Sequence, residues 1–80
     1  MKLPRDVSGK QLVSGLKRLG YAVVRQTGAH IRLKRKTNGE QPVTVPNHRQ
    51  LKIGTLDSIL EDVEQHVGVN REELMRLLDL

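Results

Sequence analysis

Eighty residues carry fourteen Lys and Arg against nine Asp and Glu, with no cysteine and a single aromatic, Tyr21. A chain of this length buries only roughly 60% of its unfolded surface, which leaves room for one domain, residues 1–80, and a shallow site rather than a deep cavity. Without cysteine there is neither a disulfide framework nor a thiolate metal site, and one aromatic makes no stacking platform for bases.

Charge is unevenly distributed. Residues 1–52 hold twelve Lys and Arg against two Asp and Glu, whereas residues 53–80 hold two against seven. A basic half of this strength points to a polyanionic partner, nucleic acid first, gripped mainly through its backbone. The start, Met1 to Asp6, lacks the apolar run of a signal peptide, and no later stretch has the length of a membrane span. The expectation is a cytoplasmic protein with no membrane partner.

Ser8-Gly9-Lys10-Gln11 reads as a capping box, with Val7 and Leu12 as its hydrophobic staple. Leu12, Val13, Leu16 and Leu19 follow at helical spacing, Lys17 and Arg18 suit the helix C-terminus, and Gly20 is placed to stop it in a left-handed conformation. Lys10 lies off the apolar stripe and is available to phosphates. Tyr21 to Gln26 is rich in β-formers and predicts a first strand, after which Thr27-Gly28 turns the chain.

The second predicted strand runs from about Ala29 to Lys36. Period two puts His30, Arg32, Lys34 and Lys36 on one face and Ile31 and Leu33 on the other. Imidazole is the side chain that takes and gives protons near neutral pH, and fixed positive charge on the same surface suits chemistry on a phosphodiester. Thr37-Asn38-Gly39 supplies an Asn-Gly hairpin turn, Glu40 to Val45 returns as a third strand, and Pro46 ends it.

A loop from Asn47 to Ile53 holds His48 and two cations, Arg49 and Lys52. Thr55 is the expected N-cap of a helix with Leu56, Ile59, Leu60 and Val63 inward and Asp57, Glu61, Asp62 and Glu64 outward. Asn70 caps a short last helix whose expected buried ridge is Leu74, Leu77 and Leu78. The order predicts an α+β two-layer domain: a helix, three antiparallel strands, a helix and a short C-terminal helix, with one sheet face covered and the other bare. His30, His48 and His66 are scattered, so neither a metal site nor a cofactor is expected.

Several of these segments resemble, in order and spacing, the motifs of the HicA-type toxins of bacterial and archaeal toxin–antitoxin pairs, also called YcfA-like proteins. The segments are Ser8-Gly9-Lys10 with Leu12 to Gly20-Tyr21, Gly28-Ala29-His30, Val45-Pro46-Asn47-His48, and Leu51 to Leu60. The resemblance spans almost the whole chain. It implies a fold similar to the double-stranded-RNA-binding domain, ribosome-independent cleavage of mRNA, and a cognate HicB-type antitoxin.

On the same resemblance His30 is the catalytic residue of a Gly-Ser/Thr-His motif, and Gly28, Gly54 and Thr55 are motif positions with structural roles. Ala29 departs from the pattern, standing where the family usually has Ser or Thr. In the expected reaction, neutral His30 takes the proton of a ribose 2′-hydroxyl, which attacks the adjacent phosphate. His48 or His30 itself then protonates the leaving oxygen. Arg32, Lys34, Lys36, Lys10 and Lys52 are the expected RNA-binding cations, and the free toxin is expected to be a monomer.

The competing reading is a non-catalytic RNA-binding module with the same element order, which would grip phosphates with cations opening the longer C-terminal helix. Here only Lys52 serves that purpose before Asp57 and Glu61 bring like charge to the duplex. A third reading is a protein-interaction piece whose basic face meets an acidic partner.

Overall fold

The computed structural model describes residues 3–37 and 39–80, so Asn38 of the expected Asn-Gly turn, and Met1 and Lys2, lie outside the described residues. Six elements follow in chain order: α1 (Gly9–Arg18), β1 (Ala22–Thr27), β2 (His30–Arg35), β3 (Gln41–Pro46), α2 (Ile53–Val67) and α3 (Arg71–Leu77). The strands form an antiparallel sheet in the order β1-β2-β3. The α+β arrangement expected from the sequence is the one observed.

α1 begins where the capping box places it: Ser8 Oγ accepts the Gln11 N–H at 3.0 Å. It ends at Arg18 with Leu19 as its C-cap, and Gly20 just beyond takes a φ of +97°, a left-handed conformation that costs a residue with a Cβ. Two cations meet carbonyls near that end, Arg35 Nε donating to the Leu19 oxygen at 2.8 Å and Arg18 Nη2 to the Leu78 oxygen at 2.9 Å.

Leu12 and Leu16 of α1, Ile31 and Leu33 of β2, Val43 and Val45 of β3, and Leu56, Leu60 and Val63 of α2 belong to one buried cluster. The helices cover the inner faces of β2 and β3. β1 is exposed throughout, leaving Val23 and Val24 in contact with water.

α2 differs from its expected start. Thr55 is not the N-cap: the helix begins at Ile53, Lys52 occupies the cap position, and no side chain caps it. The chain is already pinned upstream, because Leu51 is buried and its N–H donates to the Val7 oxygen at 2.7 Å. The Lys52 carbonyl therefore accepts the Leu56 N–H at 2.9 Å, and Thr55 falls inside the first turn.

Asn70 does cap α3, accepting the Glu73 N–H at 2.8 Å. The buried ridge of that helix is Leu74, Met75 and Leu78, and Leu77 is only half-buried on its flank. Arg71 fastens α3 to α2 by donating to Asp57 at 2.8 Å and Glu64 at 2.7 Å. No helix among the described residues is long and apolar enough to cross a membrane.

Tyr21 ties the start of β1 to β3 and α2. Its hydroxyl donates to Gln41 Oε1, and Gln41 Nε2 donates to the Asp62 oxygen at 2.9 Å. Burial pushes the phenol from 10.0 up to about 12, against the opposing pull of the Arg35 guanidinium. A raised pKa means that the folded state favours the protonated phenol, so this contribution is complete below the unfolded value and is lost as pH rises through about 12. Tyr21→Phe is expected to lose less stability than the parent between about pH 9 and about pH 11. Urea midpoints at the two pH values check this, and parallel losses would contradict it.

Candidate functional site

The site begins at the turn between β1 and β2. Thr27 pairs with His30, leaving Gly28 and Ala29 as the connection. Gly28 takes φ +54° with open space around it, so the backbone conformation and not crowding favours glycine here. His30 opens β2 and is exposed. Among the described residues no side chain hydrogen-bonds its imidazole.

Cross-strand partners share a face, so the register writes out the uncovered side of the sheet in rows. The first is Thr27, His30 and Pro46; the second is Arg25, Arg32 and Thr44; the third is Ala22, Lys34 and Pro42. Rows lie two residues apart along β2 and β3, roughly 7 Å. Arg32 Nη1 reaches Thr44 Oγ1 at 3.4 Å, whereas Lys34 Nζ is paired with Glu40 at 3.2 Å, which offsets its charge. Lys36 lies beyond the end of β2 and outside these rows, because the strand stops at Arg35 and the alternation stops with it.

Arg25 is the residue that alternation alone misplaces. Counting by twos from buried Tyr21 puts Val23 and Arg25 together on the inner face. A register shift between Val23 and Arg25 makes Val24 an extra residue, so Val23 pairs with inward Leu33 but Arg25 pairs with outward Arg32. Only the break in the ladder reveals this, and Val23-Val24 carries no mark of it in the sequence.

The loop after β3 is sewn to the same end of the sheet. Asn47 N–H donates to the Ala29 oxygen at 2.6 Å, and Gly9 N–H donates to the His48 oxygen at 2.9 Å. Ser8, Lys10, Asn47, His48 and Arg49 line a shallow cavity of about 380 Å³ there. Lys10 and His48 are thus brought together, with Arg49 added.

Lys52 lies apart, lining a smaller depression with Arg5 and Gln50. Gly54 stands exposed and Thr55 half-buried in the first turn of α2, and both line a groove against β3 with Pro42 and Thr44. The exposed positions of α2 include Asp57, Glu61 and Asp62, which sets like charge against any polyanion laid along that helix. Among the described residues, no three His, Asp or Glu side chains gather where they would hold a metal ion.

The profile of a family described as the HicA toxin of bacterial toxin–antitoxin systems matches residues 9–65, more than two thirds of the chain. No curated protein and no solved structure matches it.

Gly9 is where α1 meets the loop. A Cβ there would overlap the Pro46 carbonyl oxygen, well inside van der Waals contact distance, and lie 3.1 Å from Asn47 Cα. Gly9→Ala is expected to cost about 1–3 kcal/mol through overpacking, although alanine is the better helix former. Thermal denaturation checks it, and a variant as stable as the parent would contradict the close approach.

Proposed function

The chain belongs to the HicA toxin family of bacterial toxin–antitoxin systems, and on that premise we propose that it is an endoribonuclease that cleaves mRNA with His30 as general base. The observation that carries this reading is the exposed imidazole at the head of an uncovered sheet face, one row from two arginines. Family membership implies a cognate antitoxin; we propose that it is of HicB type and that the chain works in the cytoplasm as a monomer when free.

RNA and not DNA offers the nucleophile. His30 takes the proton of a ribose 2′-hydroxyl, the 2′-oxygen bonds to the adjacent phosphorus, and the bond from phosphorus to the 5′-oxygen breaks. The products are a 2′,3′-cyclic phosphate and a 5′-hydroxyl. The departing 5′-oxygen needs a proton, which His30 returns or His48 supplies from the loop sewn to the same end of the sheet. Arg32 stabilises the charge that develops on the phosphorane, the kind of electrostatic contribution that is usually largest. Lys34 contributes less, because Glu40 already shares its charge. Lys10, with Arg49, extends the positive surface around His48. Lys52, with Arg5, holds a more distant stretch of strand. No cofactor takes part.

Purified parent protein is expected to shorten RNA in the presence of a chelator and to leave 5′-hydroxyl ends. His30→Ala is expected to lower the rate roughly 10²- to 10⁴-fold, the range general acid–base groups contribute. Gel analysis of a defined transcript measures both. Cleavage by folded His30→Ala at the parent's rate removes the residue from the mechanism, and retention without shortening by the parent leaves a binding module.

A further inference from the structure

Arg25 and Arg32 stand directly opposite one another on the uncovered sheet face. Like charges in that relation destabilise a sheet, and among the described residues neither guanidinium has an ion-pair partner. The arrangement is not a consequence of simple alternation, since the extra residue Val24 is what turns Arg25 outward. Bulges of this sort re-aim side chains, often beside functional sites. Thr44 completes the row, its hydroxyl within 3.4 Å of Arg32 Nη1. Two planar guanidinium forks and a hydroxyl match the oxygens of a phosphodiester better than a point charge does.

We propose that Arg25, Arg32 and Thr44 form the seat for the backbone phosphate neighbouring the one on which His30 acts, the Arg32 guanidinium bridging the two phosphates, with single-stranded RNA as the ligand. The assignment rests on the reading of the chain as an RNA-cleaving protein, and it deepens that reading by naming how the strand is held. The separation of the rows, roughly 7 Å, is of the order of one nucleotide of extended backbone. An anion in the seat relieves the repulsion between the arginines, so occupancy stabilises the sheet that the empty seat strains. Lys34 is left out because Glu40 occupies it.

The probe is a fluorescein-labelled RNA strand with every 2′-hydroxyl methylated, which removes the nucleophile and separates binding from cleavage. Arg25→Gln and Arg32→Gln are each expected to weaken binding roughly tenfold at low salt and to reduce the salt dependence, on a log–log plot, by about 0.7 for the lost phosphate contact. The free Arg25→Gln protein is expected to melt no lower than the parent, with a rise of roughly 1–4 °C from the relieved repulsion.

Unchanged affinity and salt slope in Arg25→Gln overturn the seat even if the parent cleaves RNA, and turn the arginine pair toward an acidic protein partner instead. Weaker binding accompanied by a clearly lower melting temperature also overturns it, because Arg25 would then be structural. Weaker binding by Arg25→Gln in a parent that never shortens unmodified RNA upholds the seat while the nuclease reading fails.

Discussion

The register of β2 between its two neighbours is the constraint on which the site depends. Ile31 and Leu33 are buried beneath the helices beside Val43 and Val45, and burial of each such side chain contributes about 1.5–3 kcal/mol. A slip of one residue would turn this set to water and drive His30, Arg32 and Lys34 into the apolar interior. The core thereby enforces where the histidine and arginine point, with no need for side-chain bonds to hold them. Leu12 and Leu16 of α1 and Leu56 and Leu60 of α2 complete the lock from the other side.

Charge is partitioned along the same boundary. Apart from Glu40 beside Lys34, the uncovered sheet face, the loop that adjoins it and α1 carry most of the cations, while the acids cluster on α2 and α3, two of them bound by Arg71. A polyanion that approaches this molecule is drawn to the strands and repelled by α2 and α3, so orientation is set before any contact is made. That polarity separates this protein from modules that lay a basic helix along a duplex. It also explains why the long helix offers little beyond Lys52 at its entrance.

Much of this was legible in the residues. The caps at Ser8 and Asn70, the stop at Gly20, and the alternation from His30 to Leu33 each state a local rule that tertiary contacts do not override. What escaped was set at a distance. Thr55 is chemically a good cap, but Leu51 bonded to Val7 starts the helix earlier. Lys36 continues an alternation whose strand has already ended, and Arg25 is re-phased by a bulge that two valines cannot announce. The neighbourhood of Lys10 and His48 depends on Gly9 meeting the Pro46 carbonyl, a contact between segments far apart in the chain.

Nuclear magnetic resonance of the imidazole nitrogens, followed as an uncleavable 2′-O-methyl RNA strand is added, tests the central claim most directly. The account predicts that the His30 resonances shift and saturate together with those of the Arg25 and Arg32 guanidinium groups, while half-buried His66 stays where it was. Saturable binding that leaves the His30 resonances unmoved would contradict it, since the strand would then lie somewhere other than the open face of the sheet.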